Sequence, residues 1–540
     1  MDRRPASIAE HCAPRVVRGL GLLVAGLLML FLGGCASLPP PAGRADSQAI
    51  AASGHTALGA TAAAAMRRVQ AQGTSGVLAM PHPVMALDAR LTLIARAQDS
   101  LDLQYYHLAD DSVGHQVLRA LRDAAQRGVR VRLLIDDFHT AGMDRQLLAL
   151  AAHDHVQVRL FNPFAAGRDS AANRWLQLAG DFSRLNYRMH NKLFIADGAI
   201  AIVGGRNLAD AYFQRDPGAN FIDFDVLALG AVVPELAHIF DQYWNSNQAY
   251  DVAAVAHDDD SLAQRRAQFD ERVPVAAAPS GPPPVFRGTL PPRFTTLLDE
   301  QLPGLIGADA SALADTPDKQ ARGGGYAGTT TARVVQAFRE SRSELMLYSP
   351  YFIPGETGMA GLREARSYGI AVRVITNALS ATDEPLASVA YERYRVPMLQ
   401  IGVELYELSP LQMQRDDTLR RAFGRSRAQL HAKLALIDRR TVIVGSLNLD
   451  QRSATTNTEM VLVIRSPELA RQILAWFNSA ERADVKGSYQ VLLKPDGKSL
   501  QWVALLGGGR SEVLDEEPEF DPWLRMRLWL LSLVVPESWL

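Results

Sequence analysis

The sequence predicts an α/β fold built twice, as two similar domains that share one active site. Three observations predict it. Alternating apolar strands and helical stretches recur in the same order in both halves of the chain. The recurrence has a constant offset of 241 residues, with Gly128 standing against Gly369. A polar motif is repeated at the same offset, with His190 against His431. A period this long marks a duplicated domain, not a short-period repeat array.

At 540 residues the chain has room for two or three domains. Hydrophobic residues make up 48% and charged residues 21%, a composition that excludes general disorder. The 56 basic and 58 acidic residues leave a formal net charge of −2, which argues against a broad nucleic-acid-binding surface. The two cysteines, Cys12 and Cys35, supply neither a disulfide framework nor a Cys-rich metal site.

Residues 1–34 read as a secretion signal. Arg3, Arg4, Arg15 and Arg18 precede an apolar run of 16 residues, 19–34, shorter than the roughly 20 that a spanning helix takes. The run ends Leu32-Gly33-Gly34-Cys35, which resembles a bacterial lipobox. That resemblance implies cleavage before Cys35, its acylation, and a lipid-anchored protein facing the periplasm. Ala36 in place of an aspartate implies sorting to the outer membrane. An uncleaved signal anchor, or a cut near Ala36, is the alternative. Residues 35–83, rich in Ala and Gly, then read as tether and linker.

The first domain is expected over residues 84–250. Leu101, Leu103 and Tyr105 alternate as in a half-buried strand, a helical stretch follows over 117–127, and residues 128–137 form a strand running into acidic residues. Residues 156–161 alternate again. The second domain, 331–482, repeats these strands at 344–348, 369–377 and 402–406. Between them, residues 251–330 include the Pro-rich run 280–284 and read as a linker or insertion. Residues 483–540 read as a separate tail that associates with a membrane. Its apolar stretch from Pro522 carries Trp523 and Trp529 with interleaved Arg525 and Arg527, and Trp suits the headgroup boundary. A helix packed on the second domain is the competing reading.

The chemistry lies in two constellations. His190, Lys192, Asp197, Gly204, Gly205 and Asn207 form the first; His431, Lys433, Asp438, Gly445, Ser446 and Asn448 form the second. Both read HxKxxxxDxxxxxxG(G/S)xN, and two matches in register with a duplication make coincidence negligible. Strand alternation places each His and Lys on one face. Two lysines and two asparagines can neutralise and hydrogen-bond the oxygens of a phosphodiester. One imidazole can attack phosphorus while the other protonates the leaving oxygen, and neither step calls for a metal or cofactor. An attacking imidazole needs an acceptor on its second nitrogen. Glu459 opens the apolar strand after the second motif, and matching the halves sets Asp223 opposite it, with Asp225 as the near alternative. Asp197 and Asp438 stand at strand ends before a turn and read as structural, as do the motif positions Gly204, Gly205, Gly445 and Ser446. The basic run Arg420, Arg421, Arg425 and Arg427 reads equally as a solvated loop or an anion-guiding lip.

These motifs resemble those of the phospholipase D superfamily. The resemblance implies two phospholipase D-like α/β/α sandwich domains packed around one site, with His190 as nucleophile and His431 as general acid, then base. The sequence, nearly symmetric, leaves that order open. The fit is closer to bacterial cardiolipin synthases, in particular their C-type branch, over Leu103-Gln-Tyr-Tyr106, Gly204-Gly-Arg-Asn-Leu208 and Asn448-Leu-Asp-Gln-Arg-Ser453. It implies phospholipid substrates, a membrane setting and phosphatidyl transfer to phosphatidylglycerol. A hydrolytic phospholipase, an envelope nuclease and a non-catalytic scaffold are the rivals; paired His and Lys count against the last.

Overall fold

The computed structural model describes residues 38, 44–69, 73–275, 292–320, 326–416, 419–420, 426–478, 485–505, 511–519 and 521–532. Cys35 with the expected signal, Arg421 and Arg425, and the Pro-rich run 280–284 lie outside the described residues.

The first half is built on strands β1 (Ser75–Met80), β2 (Ser100–Tyr105), β3 (Arg130–Asp136), β4 (Val156–Phe161), β5 (Leu193–Ala196), β6 (Ile200–Gly204), β7 (Ala219–Ile222), β8 (Asp225–Gly230) and β9 (Ala249–Asp251). Parallel β2, β3 and β4 form one side of its sheet, and antiparallel β5, β6, β8 and β1 the other. Parallel strands need crossover helices that cover both faces, so residues on both faces are buried. In β3 six of seven residues are buried. The crossover from β2 is the helix Ser112–Gln126. Asp111 caps it by accepting from the Gly114 N–H at 2.9 Å, and Val113, Val117, Leu121 and Ala124 bury one stripe. Gly128, at φ 94°, ends the turn in a left-handed conformation and releases the chain into β3.

The second half repeats the plan. Strand β10 (Ile306–Ala314) is followed by β11 (Glu344–Tyr348), β12 (Ala371–Asn377), β13 (Glu404–Leu408), β14 (Arg427–Leu430), β15 (Leu434–Ile437), β16 (Thr441–Gly445) and β17 (Met460–Arg465). Here β11, β12 and β13 are parallel, and β15, β16 and β17 continue the sheet antiparallel from β11. Asp197 and Asp438 perform one task in both halves. Each sits at positive φ and accepts N–H bonds from the start of the neighbouring strand: Asp197 from Asp99 at 2.8 Å and Ser100 at 3.1 Å, Asp438 from Ser343 at 2.8 Å and Glu344 at 3.0 Å.

Three stretches differ from their sequence-based reading. Residues 251–330, expected as a linker or insertion, contain β10, whose Ile306–Ala308 end pairs with β1 and whose Asp309–Ala314 end pairs with β17. Both sheets thereby fuse into one of eighteen strands among the described residues. The segment Ile-Gly-Ala-Asp-Ala-Ser-Ala-Leu-Ala has one β-branched residue, Ile306, and no aromatic to signal a strand, and pairing at both ends makes it one regardless. Residues 35–83, expected as a tether, contain the helix Ala57–Val69 and β1. Residues 483–540, expected as a separate tail, add β18 (Ser488–Leu493) to β13, followed by β19 (Leu500–Leu505) and β20 (Ser511–Leu514). The helix Pro522–Ser532 rests on the second half through buried Leu528 and an Arg525–Glu392 ion pair at 2.6 Å. Its Trp523, Met526, Trp529, Leu530 and Leu531 are exposed. No helix among the described residues is long and apolar enough to cross a membrane.

Candidate active site

Each motif histidine follows a short stretch that crosses to the other half. Strand β14 ends at Leu430, immediately before His431, and pairs in parallel with β7, which ends at Ile222, immediately before Asp223. Met189, immediately before His190, forms a parallel bridge with Thr458, immediately before Glu459. The His190 N–H donates to the Thr458 carbonyl at 3.0 Å, and the His431 N–H to the Ile222 carbonyl at 2.8 Å. In parallel register the next residues stand side by side. The orienting carboxylates are therefore exchanged between halves. His190 Nδ1 lies 3.0 Å from Glu459 Oε2, and His431 Nδ1 lies 2.7 Å from Asp223 Oδ2. An Nδ1–H donated to a carboxylate leaves Nε2 as the basic ring nitrogen.

The strand ends beneath hold both histidines from behind. Asp136, at the end of β3, accepts from the Met189 N–H at 2.8 Å, and its counterpart Asn377, at the end of β12, accepts from the Leu430 N–H at 2.8 Å. Lys192 Nζ donates to the His190 carbonyl at 2.6 Å, and Lys433 Nζ to the His431 carbonyl at 2.7 Å. All four His and Lys side chains are buried.

The two carboxylates sit in different surroundings. Gly205 has no Cβ because Asp223 occupies the space: an added Cβ would lie 2.1 Å from Asp223 Oδ1. The matching position in the second half is Ser446, whose hydroxyl donates to Glu459 Oε2, while the Ser453 hydroxyl donates to Oε1 at 2.8 Å. Gly204 and Gly445 lie against the backbone of the next strand, where a Cβ would be 2.5 Å from the Phe224 carbonyl and 2.2 Å from the Met460 carbonyl. Asp225 is no rival for the histidines. It is fully buried against Arg90 at 3.0 Å and Arg206 at 3.3 Å.

Electrostatics follow from this packing. Burial, with Lys192 and Lys433 adding to it, holds His190 well below its ordinary pKa. Burial and Lys433 also lower His431, but Asp223 opposes them. Burial pushes Glu459 up to about 7 against the pull of Lys192. Burial would raise Asp223 too, but His431 and Lys433 outweigh it and hold the carboxyl below its usual range. Lys433 is lowered by burial to about 8, and Lys192 well below its ordinary value by burial and by Lys433.

The two asparagines differ. Asn207 is engaged at both ends, accepting from the His107 N–H at 3.1 Å and donating to the Tyr212 hydroxyl at 2.8 Å. Asn448 Oδ1 is buried with no partner among the described residues. Of the basic run, Arg420 and Arg427 are exposed.

Several contributors escape a reading by motif. Asp315 accepts from the Glu459 N–H at 2.9 Å and is paired with Lys319 at 2.9 Å. Both stand in the stretch taken for a linker. Tyr106 packs edge-on to His190 with ring centroids 5.0 Å apart, and Tyr212 packs the same way on His431 at 5.0 Å. His107 and His139 are neighbours at 4.5 Å, and burial lowers His107 to about 4. Asp136 and Asn377 were discoverable, since they share the 241-residue offset of the motifs. Among the described residues no group of three His, Cys, Asp or Glu is placed to hold a metal ion.

Comparison with known proteins agrees with this geometry. A family model described as cardiolipin synthase, phospholipase D-like domain, matches residues 91–244 and 334–480. The chain is 36% identical over 479 residues to cardiolipin synthase C of Escherichia coli K12, covering 87% of this chain and 97% of that one. It is 25% identical over 387 residues to a cardiolipin synthase A of Pseudomonas fluorescens Pf-5, covering 72% and 64%. Among solved structures, phosphatidylserine synthase of Haemophilus influenzae Rd KW20 shares the fold, with a TM-score of 0.53 at 13% identity over 89% of this chain and 100% of that one. The duplicated sheet, the doubled His-Lys motif and these relatives together show that the chain belongs to the cardiolipin synthase family of phospholipase D-like phosphatidyltransferases.

Proposed function

We propose that the protein makes cardiolipin, moving a phosphatidyl group from one phospholipid to the glycerol headgroup of phosphatidylglycerol through a phosphohistidine on His190. The observation that carries this reading is the exchange of carboxylates, which sets the two imidazoles in different surroundings. A nucleophile must be neutral, and burial with Lys192 and Lys433 holds His190 well below its ordinary pKa with no carboxylate opposing them as Asp223 does at His431. A general acid needs a proton, and ionised Asp223 favours one on His431.

In the first step His190 Nε2 forms a bond to phosphorus as the ester P–O bond breaks, and the His431 proton passes to the departing headgroup oxygen. In the second, His431 takes the proton of the acceptor hydroxyl, whose oxygen bonds to phosphorus as the P–N bond breaks. Lys192 and Lys433 balance the nonbridging oxygens throughout. Water in place of the acceptor would give hydrolysis by the same residues.

The reading extends to location. An acylated Cys35 would tether the protein in the envelope, facing the periplasm at the outer membrane. The exposed Trp523 and Trp529 would set the second half on the lipid surface.

The test is lipid mass spectrometry on cells lacking their own cardiolipin synthases, with this gene restored. Cardiolipin should return with the wild type and not with His190→Ala or His431→Ala. In vitro each substitution should lower turnover by about 10²–10⁴-fold or more, and EDTA should leave turnover unchanged. Phosphatidic acid in place of cardiolipin would mean a hydrolase.

A further inference from the structure

The second half holds a cavity of about 470 Å³ that none of the catalytic residues lines. Its walls are the helices Thr330–Arg339 and Gly355–Ser367 and one face of the second sheet. Val335, Phe338, Leu345, Leu347, Leu362 and Ile370 make the middle apolar. Volume and lining are those of a small-molecule pocket, typically about 300–1,000 Å³ and mostly apolar. Gly358 and Gly361 of the second helix line it without a side chain.

Its two ends are polar and different. At the outer end Arg339 and Glu364, both exposed, face each other at 3.6 Å. The inner end is formed by Phe352, Leu449 and Asp450, where Phe352 and Leu449 pair as a β-bridge. One residue from this bridge on either side stand Tyr351, bonded to Asp383 at 2.7 Å, and the motif residue Asn448. Asp383 and Asp450 both act electrostatically on Lys433. Ala454 and Thr455 line the cavity, and Ser453 just before them holds Glu459. The short helix Gln451–Thr455 thus forms part of the wall of the cavity and the support of a catalytic carboxylate.

We infer that this cavity receives an acyl chain of the phospholipid whose phosphate lies between His190 and His431. The inference rests on the phosphatidyl-transfer reading and adds a subsite to it. A lipid handled at a buried phosphate site must draw its ester end out of the bilayer, and the exposed chain then needs an apolar lining. Each methylene buried is worth about fourfold in binding, so the cavity would select long-chain over short-chain substrate.

Gly361 offers a clean probe. An added Cβ meets nothing within 4 Å, and the residue is helical, so a larger side chain enters open space and raises helix propensity. Gly361→Phe fills the cavity. It should lower kcat/KM on dioleoyl-phosphatidylglycerol tenfold or more and leave dihexanoyl-phosphatidylglycerol within about twofold, with Gly361→Ala close to wild type. A parallel fall on both lipids, or on neither, would overturn the assignment. Independently, phosphatidylglycerol carrying a diazirine at the end of its acyl chain should label the wild-type full chain within the helix Gly355–Ser367. Labelling confined to other segments would overturn the assignment as well. Labelling needs no turnover. A wild type that labels there yet transfers no phosphatidyl group would refute the catalytic reading and keep the subsite.

Discussion

His190 is held by Glu459, a residue 269 positions later in the other half of the molecule, with Nδ1 3.0 Å from Oε2. The reciprocal pair, His431 with Asp223, is 2.7 Å. Neither half can orient its own histidine, so the active site exists only when both halves have docked. Backbone pairing one residue upstream of each pair sets the alignment, which makes it a property of register and not of side-chain choice.

Glu459→Gln and Asp223→Asn should each lower kcat by about 10²–10⁴-fold, the range for a lost acid–base partner, with little change in melting temperature. Asp225→Asn, two residues from Asp223, should do the reverse. It strips the shared counter-charge from buried Arg90 and Arg206, and breaking a buried pair costs about 3–5 kcal/mol. Thermal unfolding beside steady-state kinetics separates the cases. Equal thermal losses for Asp223→Asn and Asp225→Asn would contradict the assignment.

Gly205→Ala tests the packing behind Asp223. The new methyl would overlap Asp223 Oδ1, so the carboxylate must turn away from His431. The expected result is at least a tenfold loss in kcat with circular dichroism unchanged. Ser446→Ala, at the matching position, removes one of two hydroxyl donors to Glu459 and should have the smaller effect.

The pH dependence has a defined sign. Lys433 titrates at about 8 in the free protein because it is buried. An anion beside it raises that pKa, so binding takes up a proton above pH 8. Affinity for sulfate, a dianion throughout, should fall as pH rises past 8, by up to about tenfold per unit for each lysine that titrates. His190 must be neutral to attack, and its pKa lies well below the ordinary 6.5. Glu459, its acceptor, is pushed up to about 7, so the acid limb of kcat/KM on a short-chain lipid should set in near pH 7, above the titration of His190 itself. Calorimetry and a pH–rate profile check the two limbs, and a profile flat from pH 8 down through 6 would contradict ionised Glu459 as the partner His190 needs.

Membrane attachment should have two separable parts. Labelled palmitate should enter the wild type and not Cys35→Ser. In the Cys35→Ser background, replacing exposed Trp523 and Trp529 with Ala should weaken binding to anionic liposomes several-fold, without loss of activity on a soluble short-chain lipid. Undiminished liposome binding would leave the helix Pro522–Ser532 as packing on the second half alone.

Much of the molecule was legible in the sequence, because strand periodicity and a doubled motif are local patterns. The strands over 100–105, 130–136, 156–161 and 344–348, their repeat at 241 residues, and the His, Lys, Asn and Asp of both motifs could be read directly. Asp223 and Glu459 emerged as candidates only by aligning the halves, and the chain alone left Asp225 open beside Asp223. Which carboxylate serves which histidine was decided by tertiary structure, since the answer depends on parallel pairing between residues more than 200 positions apart. The same holds for β10. Its alanines carry no strand signal, and two neighbouring strands from different halves make it the seam of the sheet. Asp315, beyond that seam, steadies Glu459 from a segment whose composition says only linker. Local pattern fixed which groups do the chemistry. Contacts across the interface between the halves fixed their pairing, their burial and so their charge.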